Sequence, residues 1–155
     1  MKRGKRIGIT LAIVASMLFL SMPMDVAAVA PYFDVTINFA DYDDLDLDAA
    51  IDDVLILFTC TVGNGHKSPS KSEFLFTLTM PSGAQYFALI TVLGKYREIR
   101  LALSWFDSAQ ESGWYNIELD AYAYGIMGGY DYDSYVFDPP SGGGPADPTI
   151  SVTFW

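Results

Sequence analysis

Cysteine and histidine each occur once, as Cys60 and His66, and this scarcity removes several classes of chemistry at the outset. A lone thiol closes no internal disulfide, and a Cys/His zinc centre lacks its ligands. A Ser–His–Asp triad would have to be built on His66, but no serine sits in a nucleophile elbow. His66 lies in the turn stretch GNGHKSPSK and reads as an exposed loop residue. Cys60 lies in DVLILFTCTV, where Val54, Ile56, Phe58, Cys60 and Val62 share one face of a strand. It reads as a buried, inert thiol.

Positive charge is scarce as well. The chain has nine Lys and Arg against nineteen Asp and Glu, a formal net charge of −10. Four of the nine cations fall in the first six residues, which leaves five against eighteen acids over residues 29–155. Such a surface repels phosphate backbones, so nucleic acid is not an expected partner. It opposes docking on anionic lipid and favours solubility and cation binding. No N-x-S/T sequon occurs. No window carries a convincing amphipathic helix; a single turn at Ala49 to Asp52 is the one helical candidate.

The first residues form a unit of their own. Lys2, Arg3, Lys5 and Arg6 precede an uncharged, mostly apolar run from Ile7 to Met22, then Pro23 and the small residues Val26-Ala27-Ala28-Val29-Ala30. That order is expected of a secretory signal peptide, and the run is short for a membrane span of roughly 20 residues. Cleavage after Ala28 is favoured over Ala30, because the latter would put Pro31 first. The expected organisation is a signal peptide over 1–28, a β-sandwich over 29–138, a Pro/Gly-rich linker over 139–148 and a C-terminal strand over 149–155. The location implied is secreted, at the cell surface, with no membrane span in the mature chain.

The rest alternates with period two. YFDVTINF places Phe33, Val35, Ile37 and Phe39 on one face. DVLILFTCTV is apolar on both faces at first and reads as a central strand. SEFLFTLTM and QYFALITVL flank PSGA and form a hairpin. REIRLALSWF aligns Ile99, Leu101, Leu103 and Trp105, and WYNIELDAYAYG aligns Tyr115, Ile117, Leu119, Ala121 and Ala123. IMGGYDYD reads as flexible, SYVFD as a short strand and TISVTFW as a final strand. Seven to eight antiparallel strands at this spacing predict an all-β, Ig-like β-sandwich, with a jelly roll as the alternative.

One stretch stands apart. DYDDLDLDAAIDDV places seven aspartates within residues 41–53. Asp44, Asp46 and Asp48 alternate and Asp52 follows, giving carboxylates at positions one, three, five and nine of a loop. Calcium takes six to eight oxygen ligands, commonly from carboxylates so spaced. The motif DLDLDAAIDDVLILF resembles the D-x-D-x-D-G-x-x-D-D-V calcium loops of thrombospondin type 3 and dockerin-like repeats. ESGWYNIELDAYAYG is similar to a strand phrase of extracellular sandwich repeats. The resemblance implies a prokaryotic, archaeal-type surface module, Ig-like or fibronectin-like, holding Ca2+ through Asp44, Asp46, Asp48 and Asp52. Ala49 stands where the pattern has glycine, and Leu55 where an EF-hand has glutamate, which excludes an EF-hand. A solvated acidic connector is the competing reading.

Two further readings concern partners. Trp114, Tyr122, Tyr124 and Tyr130 offer rings that could stack on sugars, the basis for an alternative function as a small carbohydrate-binding module. Glu118 and Asp120, two apart on one strand face, match a glycosidase pair only in spacing; a solvent-facing surface accounts for them, and no enzyme activity is expected. The final strand follows a glycine-rich tether, so strand exchange into filaments is a mode of assembly open to it. The expected function is a secreted, non-enzymatic structural or adhesive module. Its expected partners are other copies of itself or cell-surface proteins, with glycans as the alternative.

Overall fold

The computed structural model describes residues 32–125, 128–138 and 148–155. The expected signal segment, and the linker apart from Pro148, lie outside the described residues. Eight strands follow in order: β1 Phe33–Asp43, β2 Asp53–Val62, β3 Lys71–Thr79, β4 Gln85–Leu93, β5 Glu98–Phe106, β6 Tyr115–Tyr124, β7 Gly129–Phe137 and β8 Thr149–Phe154. They form two antiparallel four-stranded sheets, ordered β1-β2-β5-β8 and β4-β3-β6-β7. The described residues therefore form an all-β sandwich. In a constant-type immunoglobulin domain the fourth strand lies beside the fifth. Here β4 extends the second sheet instead, and the chain-final β8 takes that place beside β5. Among the described residues no helix is long and apolar enough to cross a membrane, and Ala49 to Asp52 form no helical turn.

Period-two alternation builds the core. Val54, Ile56, Phe58 and Cys60 on β2 are wholly buried, facing Phe74, Phe76 and Leu78 on β3. Phe58 meets Phe74 and Phe76 edge-on, with centroids 5.2 and 4.9 Å away; burying one such ring contributes about 1.5–3 kcal/mol. The expected inward sets on β5 and β6 are buried as read. Phe39 is not: a register shift between Ile37 and Phe39 turns it outward and brings Ala40 in. One extra residue on the bulged strand reverses every later side chain, which alternation alone cannot foresee.

β7 departs further from expectation. It starts at Gly129, so YDYD is strand rather than flexible connector. By register, Asp131 and Asp133 oppose Ala121 and Leu119, both core-facing. Their carboxylates reach the neighbouring sheet. Asp131 Oδ2 accepts the Val35 N–H at 2.7 Å, and Asp133 Oδ2 accepts the Ile37 N–H at 2.7 Å. Two N–H groups on the outer edge of β1 are thus satisfied by side chains of β7, and inward-pointing charge blocks strand addition along that stretch. Gly129 permits the approach: a Cβ there would lie 2.7 Å from Tyr32 Cδ1.

The seam predicts a measurable cost. Asp133→Ala leaves the part-buried Ile37 N–H without its acceptor, a loss of about 1–3 kcal/mol. Urea unfolding should show a lower midpoint with the slope unchanged.

Candidate metal centre

The acidic stretch divides between strand and loop. Asp41 and Asp43 belong to β1, Asp53 opens β2, and the residues between them make an irregular connection. Within it the carboxylates fold back on their own backbone. Asp44 accepts the N–H of Asp48 at 3.0 Å through Oδ1 and that of Ala49 at 3.1 Å through Oδ2. Asp46 Oδ1 accepts the Asp48 N–H at 3.1 Å, and Asp48 Oδ1 accepts the Ala50 N–H at 2.7 Å. These bonds bend the chain sharply enough to hold Leu47 at φ 66° and Ala49 at φ 75°. An L-residue in the left-handed region costs roughly 1–2 kcal/mol. Ala49 therefore takes the conformation that a glycine would take at lower cost, at the position where the loop pattern has glycine.

Two groups of carboxylate oxygens converge. Asp44, Asp46 and Asp48 form one; Asp46, Asp53 and Asp107 form the other, with oxygens in each group within 4.8 Å of one another. A calcium ion holds oxygens at 2.3–2.6 Å, so two of its ligands stand no more than about 5 Å apart, and both groups meet that limit. Asp46 belongs to both. The first group is the D-x-D-x-D triplet of the sequence. The second joins the loop to the turn after β5, and neither Asp53 nor Asp107 is among the residues the spacing selects.

Asp53 is the hinge between them. It is buried; its Oδ2 accepts the N–H of Leu45 at 2.6 Å and of Asp46 at 3.1 Å, and its Oδ1 accepts the Asp107 N–H at 2.9 Å. Asp107 itself has φ 54°. Asp52 enters neither group. It is 1% exposed, its carbonyl accepts the N–H groups of Ser108 and Ala109, and its Oδ2 has no hydrogen-bond partner among the described residues. Burial, and then the charges of Asp107, Asp48, Asp53 and Asp46, hold its carboxyl above the usual range. An unpaired buried carboxylate oxygen beside several like charges is costly. Two unit charges 4 Å apart repel by about 1 kcal/mol in water and about 4 kcal/mol at an effective dielectric of 20. A divalent cation would reverse the sign of those terms. The two ion pairs among the described residues, Lys71–Glu73 and Arg100–Glu98, lie elsewhere.

The other candidate residues divide. Tyr122, Tyr124 and Tyr130 gather with Tyr132 on the outer face of β6 and β7, the Tyr122 and Tyr130 rings 5.1 Å apart. Their hydroxyls are engaged: Tyr130 donates to Asp120 at 2.7 Å, Tyr124 to Glu73 at 2.6 Å and Tyr132 to Glu118 at 3.4 Å. Hydrogen bonding to Asp120 pushes the Tyr130 phenol up to about 12. Trp114 is exposed but lies eight positions from Tyr122, about 26 Å along the strand. His66 is half-buried, edge-on to Tyr32 at 5.2 Å. Cys60 is wholly buried, and burial pushes its thiol up to about 12, so it stays protonated and inert.

Comparison with family models, curated proteins and solved structures finds no match to this chain.

The raised Asp52 carboxyl fixes a sign. A carboxyl held above its unfolded value supports the fold below that value and loses this contribution as pH rises through the folded one. With chelator present, Asp52→Asn should be more stable than wild type at pH 7, and the gap should close as pH falls towards 4. Thermal unfolding across that range checks it.

Proposed function

We propose that this chain is a secreted, non-enzymatic β-sandwich of the cell surface or extracellular space, a structural or adhesive module that works by binding or assembling, with calcium fixing its acidic loop. The observation that carries this reading is the pair of carboxylate groups sharing Asp46, with the buried, unpartnered Asp52 oxygen beside them. The resemblance of DLDLDAAIDDVLILF to thrombospondin type 3 and dockerin-like loops supports it, as does the left-handed backbone at Ala49, where those loops carry glycine. The order of roles differs from that resemblance. Asp53 and Asp107 stand in the second carboxylate group, and Asp52, buried like Asp53, enters neither. A surface module with one buried thiol has no disulfide to hold its loops, and a cation linking the β1–β2 loop to the turn after β5 would supply that constraint.

A ligand that binds only the folded state stabilises it by about 2.7 kcal/mol when present at 100 times its Kd. Calcium should therefore raise the melting temperature of wild type by several degrees relative to chelator. Asp46→Asn, which touches both groups, should lose most of that rise while still melting cooperatively. An identical melting temperature in calcium and chelator sinks the metal reading and leaves the loop a solvated connector.

A second reading, a small carbohydrate-binding module, rests on the outer-face cluster of Tyr122, Tyr124, Tyr130 and Tyr132 beside Glu73 and Asp120. Carboxylates between exposed rings offer acceptors to sugar hydroxyls flanking a stacking surface. On a glycan array the chain should then retain a ligand that Tyr130→Ala loses and Trp114→Ala keeps, because Trp114 is too far away to share the site. Retention of nothing removes this reading.

A further inference from the structure

The cations of this sandwich are gathered at one end, where Asp34, Glu73, Glu98 and Asp131 also stand. β2 runs from Asp53 to Val62, and every cation among the described residues lies towards the Val62 end. Lys67 follows β2 in the connection to β3, Lys71 opens β3, Lys95 and Arg97 connect β4 to β5, and Arg100 is the third residue of β5, opposite Thr59. The opposite end carries Asp41, Asp43, the acidic loop, Asp53 and Asp107. A ten-residue strand separates the ends by roughly 30 Å, well beyond the Debye length of about 8 Å at physiological salt. The poles therefore do not neutralise each other within one molecule.

Three of the five cations are also left over. Lys71 is paired with Glu73 and Arg100 with Glu98. Lys67, Lys95 and Arg97 are exposed and enter neither of the ion pairs among the described residues, although acids greatly outnumber cations. All three line one cleft of about 340 Å3, together with Ser68, Ser70 and Gly125. The Ser70 hydroxyl is taken by the Tyr124 carbonyl and Arg97 donates to the Gly63 carbonyl at 3.5 Å, but three cations outside any ion pair around one cleft still make a receptor for carboxylates, and the densest run of exposed carboxylates in this chain is its own opposite end.

We infer that the cleft of Lys67, Lys95 and Arg97 docks the acidic end of a second copy, so that copies add head to tail. This rests on the assembly half of the proposed function and names its partner; it does not depend on calcium. The contact is heterologous, one end on the other, and a heterologous contact that does not close into a ring extends as a filament. Two acidic ends repel each other, which sets the polarity. A side-by-side alternative exists at the other flank, where β4 and β8 are edge strands and Ile150, Val152 and Phe154 lie exposed on the core-facing side of β8. That route draws on apolar contact and backbone pairing, so salt and charge reversal separate the two.

The test is analytical ultracentrifugation of the chain from about 10 µM to about 1 mM, the range of a weak contact, in chelator and again in calcium. Wild type should gain mass with concentration at low salt and lose that gain in 0.5 M salt, about a 4 Å Debye length. The double variant Lys95→Glu/Arg97→Glu should stay monomeric, as should Asp41→Lys/Asp43→Lys, which shifts the charge of the acidic end by four and keeps Asp44, Asp46, Asp48, Asp53 and Asp107, although Asp43 accepts the Asp44 N–H and stands opposite Asp53. Each keeps one good end, so an equimolar mixture should associate where neither variant alone does. Phe154→Lys should associate like wild type. The inference is overturned if wild type is monomeric throughout, if association survives Lys95→Glu/Arg97→Glu, if Phe154→Lys abolishes it, or if the mixture fails to associate. Association without a calcium-dependent melting shift would sink the metal reading and keep the dock; the reverse result would do the opposite.

Discussion

An excess of carboxylate over cation is the constraint around which this fold is arranged. With too few lysines and arginines to pair them, carboxylates find partners in backbone N–H groups, in hydrogen bonds strengthened by the charge. Asp131 and Asp133 hold the edge of β1 in this way. Asp53 takes three N–H groups and ties the β1–β2 connection to the turn after β5. Glu111 accepts both the N–H and the hydroxyl of Ser82, each at 2.7 Å, and fixes the β3–β4 hairpin to the β5–β6 loop. Hydrogen bonds to charged groups contribute about 1.5–3 kcal/mol each. The acids that elsewhere would only keep a protein soluble here act as connectors between sheets and loops.

The same constraint explains the unequal flanks of the sandwich. Inward-facing carboxylates on β7 block strand addition along part of one side, since a foreign strand would have to displace Asp131 and Asp133 from β1. On the other side β4 and β8 contain no charged residue at all. β8 leans on β5 through its ladder and through Trp155, whose indole donates to the Leu101 carbonyl at 3.0 Å while Arg100 lies over its ring at 5.5 Å. That contact pins the chain end beside β5, in the place a fourth strand occupies in a constant-type immunoglobulin domain.

Much of this architecture is legible in the residues, for a physical reason. Strands with one face buried announce themselves by alternation, so β2, β4, β5 and β6 lie where the pattern puts them. Legibility fails where the rule is broken locally. The bulge after Ile37 reverses Phe39, and no composition signal marks it. In YDYD, charge occupies positions that alternation assigns to the core, because the partner is a backbone edge rather than an apolar side chain. The acidic loop is half legible. Asp44, Asp46 and Asp48 are near in sequence and converge as their spacing implies, whereas Asp107 lies 54 residues from Asp53 and is brought in only by β5 pairing with β2. Asp53 is hidden by its position as first residue of a strand.

A bound cation and a docked partner make different demands on the acidic end, and both can be met. Asp44, Asp46, Asp48, Asp53 and Asp107 converge in two linked groups, and a single divalent ion offsets two of their five charges. The remainder, with Asp41 and Asp43 on the adjoining strand, still presents net negative charge to a neighbour. The ion would act on conformation: it relieves repulsion around Asp52 and holds Leu47 and Ala49 in the left-handed backbone that the Asp44 and Asp48 hydrogen bonds already favour. The exposed acids would act on approach, since steering depends on the net field of the surface rather than on the geometry of one loop. The proposed calcium binding and association would therefore draw on overlapping charge through separable residues. Removing the buried Asp53 should disturb the first far more than the second, while changing Asp41, which stands opposite Leu55 and accepts the N–H of Tyr42, should do the reverse.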